Sequence, residues 1–155
     1  MRLHLLAVGR KMPGWIAEGF REYAGRMPPE LRLELVELAP GDRGGGGRVD
    51  RAREVEAGRL LGAVPRGARI IALDAGGREE TTEQLARRMS GWLQEGRDMA
   101  LLVGGPDGLA PECLARSEYR WSLSRLTLPH MLVRVVVAEQ LYRAWSILAN
   151  HPYHR

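Results

Sequence analysis

The sequence predicts an α/β fold, a largely parallel sheet flanked by helices, and two observations predict it. Short apolar runs alternate with longer segments whose apolar residues recur at helical spacing, and most of the runs are apolar throughout, as strands covered on both faces must be. A chain of 155 residues is long enough for a real core but rarely divides, so a single domain over 1–155 is expected. The hydrophobic share of 45% and charged share of 27% are those of a globular protein. No apolar stretch reaches the length of a bilayer.

Residues 3–8 read as a buried first strand. They lack the small-residue cleavage site of a signal peptide, which leads to the expectation of a cytoplasmic protein. Pro13 stands at the start of an amphipathic helix through Trp15, Ile16, Phe20 and Tyr23. Residues 32–38 alternate polar and apolar, as a half-buried strand does. The glycine-rich segment 40–48 reads as a loop, and a helix with Val55, Leu60 and Leu61 as its apolar positions follows, closed by Pro65 and Gly67. Residues 70–73 form a short strand ending in Asp74-Ala75-Gly76-Gly77. Thr82 with Glu83 caps a helix through Leu85, Met89, Trp92 and Leu93. Residues 99–103 are another buried strand, ending in Gly104-Gly105-Pro106-Asp107-Gly108. A short helix over 111–117, a strand over 119–123 and a long helix over 131–149 complete the chain.

Ligands of parallel sheets bind at the carboxyl ends of strands. The segments after Leu73, after Val103 and after Trp121 all lie at such ends and are expected to line one pocket. Gly44 to Gly47 lacks the Lys-Ser/Thr of a phosphate loop and reads as a mobile loop. No Gly-x-Ser-x-Gly elbow surrounds Ser122 or Ser124, which argues against a serine hydrolase and for an extended loop with free backbone groups and leucine walls. The lone Cys113 reads as a small buried hydrophobe, and His151 and His154 lack the companions of a metal site. His130 suits a helix start as well as catalysis.

A net charge of +4 comes almost wholly from arginine, the side chain suited to bidentate phosphate contact, so nucleic acid is a reasonable partner. The last helix is apolar nearly all round, which suggests a partner subunit. Arg134 is assigned an intrahelical or intersubunit ion pair involving Glu139, whereas Arg143, nearer the aromatic tail, is assigned to RNA or substrate. The tail Asn150-His151-Pro152-Tyr153-His154-Arg155 is too aromatic to be disordered and is expected to be docked.

Leu-Leu-Val-Gly-Gly-Pro-Asp-Gly-Leu at 101–109, Trp-Ser-Leu-Ser-x-Leu-Thr-Leu-Pro-His at 121–130, Tyr-Arg-Ala-Trp-Ser-Ile at 142–147 and the tail together resemble the bacterial ribosomal RNA large subunit methyltransferase H family. Ala-Val-Gly-x-Lys-Met-Pro at 7–13 fits it too, while the glycine run stands where a lysine-bearing loop is expected. The resemblance implies a single SPOUT-type domain with a C-terminal deep trefoil knot, a homodimer without metal or membrane attachment. It implies methyl transfer from S-adenosylmethionine to N3 of a pseudouridine in 23S ribosomal RNA, position 1915, on the assembled ribosome. Leu73, Gly104, Leu123, Ser124, Arg125, Leu126, Thr127 and Leu128 are then expected to bind the cofactor. Arg143, His154 and Arg155 are the expected catalytic residues and, with Tyr153, contact the RNA, the tail being contributed by the other subunit. A SPOUT enzyme acting on another RNA such as transfer RNA, and a non-enzymatic RNA-binding module on the same fold, share most of these features.

Overall fold

The computed structural model describes residues 1–45 and 48–155, so the expected mobile loop over Gly44 to Gly47 lies partly outside the described residues. Its elements run β1 (Arg2–Val8), α1 (Gly14–Ala24), β2 (Arg32–Leu38), α2 (Arg48–Gly62), β3 (Arg69–Glu79), α3 (Thr82–Glu95), β4 (Met99–Val103), α4 (Pro111–Arg116), β5 (Tyr119–Ser122) and α5 (His130–Leu148). Short 3-10 turns occupy Pro29–Leu31 and Pro152–His154. The five strands form one sheet in the order β2-β1-β4-β3-β5, every neighbouring pair parallel. Parallel pairing with crossover helices leaves all five carboxyl ends on the same edge.

Alternation along the central strands explains their unbroken apolar sequences. Leu3, Leu5 and Ala7 of β1, with Met99, Leu101 and Val103 of β4, face a core shared with α1, α3 and α5. Leu6 and Val8, with Ala100 and Leu102, face a second core under α2 and α4. Cys113 is wholly buried in this second core, and burial pushes its thiol up to about 11, so it is an inert hydrophobe there. Among the described residues no helix is long and apolar enough to cross a membrane.

Four local readings are corrected. β3 does not end at Leu73: Leu73 and Arg78 both pair with Trp121, so Asp74 to Gly77 leaves the ladder as a bulge and the strand resumes to Glu79. The cap of α3 is Thr81. Its hydroxyl accepts from Gln84 N at 3.1 Å while Gln84 Oε1 accepts from Thr81 N at 2.8 Å, a reciprocal box that Thr82 cannot form with Leu85 three residues on. Thr82 instead donates to Gln140 Oε1 of α5 at 2.9 Å. On α2 the buried positions are Ala52, Glu56, Ala57 and Leu60, and Val55 is exposed.

The fourth concerns Arg134, whose partner is Glu37 and not Glu139. Positions five apart on a helix are about 140° around it and do not meet, whereas Glu139 lies four residues from Arg143 and pairs with it at 2.7 Å. Arg134 is fully buried against the end of β1. It donates to Glu37 Oε2 at 2.6 Å, to Gly9 O at 2.9 Å and to Val8 O at 3.3 Å. Gly9 has φ +116, and a Cβ there would lie 2.7 Å from Met131 Cε, so the chain turns under α5 only with glycine at this position.

At the far edge of the sheet the Glu80 side chain, 4% exposed, accepts from Tyr119 Oη at 2.6 Å and Arg88 Nη2 at 2.7 Å. Burial acts to raise its carboxyl, but these two hydrogen bonds outweigh burial and hold it below the usual carboxylate range. Tyr119 moves the other way, pushed up to about 12 by burial and by donating to Glu80.

Two outcomes follow for stability. Replacing Arg134 with Met leaves two carbonyls and Glu37 without their donor, and denaturant unfolding should show a loss of about 3 kcal/mol. Because the folded carboxyl of Glu80 is depressed, its contribution is present above the unfolded value and is lost as pH falls through the folded one. The stability gap between wild type and Glu80→Gln should therefore be constant near neutrality and close below about pH 4.

Candidate active site

A cavity of about 630 Å³ opens at the bulge of β3 and the carboxyl ends of β4 and β5 and is closed on one side by the start of α5. That is the size range of sites for small molecules. Leu73 and Asp74 come from β3, Gly104, Gly105, Pro106 and Gly108 from the turn after β4, and the third wall is the segment after β5. Seven of the eight residues expected to hold a cofactor line it: Leu73, Gly104, Leu123, Ser124, Leu126, Thr127 and Leu128. Arg125 does not. Its side chain is exposed and donates to Glu79 Oε1 at 2.8 Å, outside the cavity.

Leucine and valine side chains make the walls apolar, and backbone groups of the glycine turn and the 122–128 segment supply donors and acceptors. Two serines shape that segment from within: Ser124 Oγ accepts from Leu126 N at 2.9 Å and Ser122 Oγ donates to Ser124 O at 3.1 Å. Hydroxyls engaged in this way hold a loop open and are not poised as nucleophiles. Asp74 places one carboxylate on the wall, and His130 with Val133 closes the α5 side. Asp74 lies in the segment after Leu73 that is expected to line the pocket, but neither its carboxylate nor Val133 is singled out by the sequence as a site residue. Asp74 is hidden in what reads as turn residues, and Val133 belongs to an apolar helix face like its neighbours.

The glycine turn is held from behind. A Cβ on Gly104 would meet the Gly108 carbonyl carbon at 2.5 Å, so the two ends of the turn touch. Asp107 accepts from Arg43 Nε at 2.7 Å, and Arg43 also donates to both oxygens of Glu56, at 2.6 and 2.9 Å. Glu56 is 2% exposed and accepts Gly41 N as well, which accounts for a carboxylate at a core position of α2. The β2–α2 loop thereby fastens the wall of the cavity through a bidentate arginine, a link between residues 64 positions apart that no local pattern reveals.

The tail forms a second cluster. Asn150, at φ 54, turns the chain back, His151 N donates to Ser146 O at 2.8 Å, and Tyr153 packs 4.6 Å from the Tyr142 ring centre. Arg143 donates to Glu139 Oε1 at 2.7 Å and lies 4.8 Å over the Tyr153 ring, whose hydroxyl donates to the same oxygen at 3.1 Å. Burial and the Glu139 carboxylate push the Tyr153 phenol up to about 12, so it remains protonated. His154 is half-buried, its Nδ1 without a partner among the described residues, and Arg155 is exposed. The structure thus gathers Arg143, Tyr153, His154 and Arg155 at one end of α5 while the cavity lies at the other. Arg143 is thirteen positions beyond His130, about 20 Å along the helix, and the cluster faces Arg26 near the end of α1.

Known proteins resemble this chain over its whole length. A family described as "Predicted SPOUT methyltransferase" matches residues 1–154. The sequence is 57% identical to Ribosomal RNA large subunit methyltransferase H of Burkholderia ambifaria, an alignment covering 100% of this chain and 99% of the relative. It is 59% identical to the protein of the same name from Alkalilimnicola ehrlichii, with the same coverage. Among solved structures, a probable methylase family protein from Haemophilus influenzae Rd KW20 superposes with a TM-score of 0.59 at 15% identity, over 99% of this chain and 70% of the other. A putative methylase family protein from Neisseria gonorrhoeae gives 0.57 at 14% identity, over 96% and 93%. These two likenesses concern the fold, a parallel sheet with helices on both faces. Matched from end to end and kept at more than half identity across full-length relatives, the chain belongs to the SPOUT methyltransferase family.

Proposed function

We propose that this protein transfers a methyl group from S-adenosylmethionine to N3 of a pseudouridine in 23S ribosomal RNA, acting on the assembled ribosome in the cytoplasm. Identity of 57–59% over the whole chain to relatives named for ribosomal RNA methylation carries this reading. The reading includes a deep trefoil knot at the C-terminal end and a homodimer. A dimer also answers the separation of the two clusters. A tail about 20 Å along α5 from its own cavity reaches a cavity when a second copy presents it.

The cavity fits the donor. Its volume of about 630 Å³ holds a nucleoside with an amino-acid arm, and Leu73, Leu123 and Leu128 offer apolar faces to a base. The absence of any Cβ at Gly104 lets the main chain approach closely, and Asp74 offers an acceptor for hydroxyl or ammonium groups. Bound there, S-adenosylmethionine supplies a methyl group on a sulfonium that is already a good leaving group. What remains for the protein is alignment, exclusion of water and stabilisation of a ring nitrogen as it loses a proton. Arg143 and Arg155 supply positive charge near that nitrogen and near the phosphates, and Tyr153 with His154 offers stacking surfaces for a base. Leu126, 75% exposed and part of the cavity lining, offers a further apolar side chain to what enters.

Two experiments test this. Labelled S-adenosylmethionine incubated with ribosomes lacking the modification should label one 23S pseudouridine, located by mass mapping; label confined to transfer RNA would overturn the substrate. Arg155→Ala or His154→Ala should depress methylation while calorimetry shows cofactor affinity nearly unchanged. Mixing Arg155→Ala with Gly104→Val, each inactive alone, should restore roughly a quarter of wild-type activity, because random pairing gives heterodimers with one complete site.

A further inference from the structure

His130 is the first residue of α5 and lines the cavity beside β1. Its Cε1 lies 3.5 Å from where a Cβ on Gly9 would stand, and its Nδ1 is buried without a hydrogen-bond partner among the described residues. Of the described side chains lining the cavity, only His130 and Asp74 carry groups that titrate in the acid to neutral range. The reaction proposed above requires a proton to leave a ring nitrogen, and the guanidinium groups of Arg143 and Arg155 have no lone pair to receive it. A carboxylate is in general a weaker base than a neutral imidazole, which favours the histidine.

We propose that His130 is the catalytic residue that accepts the proton of the target base, an inference that rests on the proposed function. With Nδ1 buried, the lone pair of the imidazole Nε2 takes the N3 proton, and the N–H bond pair stays on nitrogen to form the new bond to the methyl carbon. The pair of the breaking carbon–sulfur bond leaves on sulfur, and the imidazolium then yields its proton to water. The surroundings keep the ring neutral beforehand. Burial comes first, then the charge of Arg134 one turn along α5. Glu56 of α2 opposes them, and Arg43 of the β2–α2 loop reinforces them, so the imidazole titrates below the ordinary histidine value. Arg134 and Arg43 are themselves paired with Glu37 of β2 and Asp107 of the glycine turn, and Asp74 of β3 stands on the wall of the same cavity.

The test uses the full-length enzyme, ribosomes carrying the unmethylated pseudouridine, and single-turnover methylation across pH. Wild-type rate should fall as pH drops through the imidazole midpoint, which NMR titration of His130 should place below that of an ordinary histidine. His130→Asn should slow transfer by about 10²- to 10⁴-fold and abolish this acid limb, with cofactor affinity by calorimetry changed less than about threefold. His130→Ala should recover part of its rate when free imidazole is added, which a merely structural role would not produce. An unchanged rate, an acid limb that survives in His130→Asn but vanishes in His154→Asn, or a parallel loss of cofactor affinity would overturn the proposal. Wild-type enzyme that labels no ribosomal RNA would overturn the substrate reading beneath it, so the two failures are distinguishable.

Discussion

Arg134 joins the longest helix to the end of β1, next to the central strand β4, and the placement of α5 over the cavity hangs on that contact. A guanidinium in a dry interior is tolerable only when most of its donors are used. Here the two carbonyls at the end of β1 and the carboxylate of Glu37 use those of the two terminal nitrogens, and Nε is left without a partner among the described residues. The carbonyls are free because the strand ends there, and the arginine reaches them because Gly9 leaves room. Once α5 is pinned at this point, its first turn closes the cavity. Its remaining length then fixes how far the tail stands away.

Many of the cations that suggest a nucleic-acid partner in the sequence are already paired with carboxylates of the same molecule. Arg43 serves Glu56 and Asp107, Arg97 serves Glu118, Arg134 serves Glu37 and Arg143 serves Glu139. Arginine's planar fork suits these pairings as well as it suits phosphate. The overall charge is therefore a poor guide to where RNA would lie, and Arg155, exposed at the tail, is a better one.

Much of the sheet was legible because a strand covered on both faces has nowhere to put a polar side chain, and residues 99–103 have none. The cavity was legible for a related reason: glycines and hydroxyl residues gathered after three strands mark backbone that need not be buried. Reading failed where a contact joins distant residues. Arg134 and Glu37 are 97 positions apart and Arg43 and Asp107 64, and nothing local at either member names the other. Failure of a different kind befell β3, where four turn-forming residues mask a strand that continues, and α2, where a buried glutamate interrupts the apolar pattern. The opposed placement of cavity and tail follows from the length of one helix, but only after that helix is anchored.

The turn at Asn150 lays Tyr153 back on Glu139 and Arg143. A short peptide end ordinarily samples many conformations and must forfeit them when it docks. This one has been shaped in advance by its own helix, so a partner meets a rigid edge. Association then resembles the fitting of two finished surfaces more than the folding of a strand onto a template. The same rigidity limits tolerance: a tail that cannot adapt its shape discriminates sharply among the surfaces it meets.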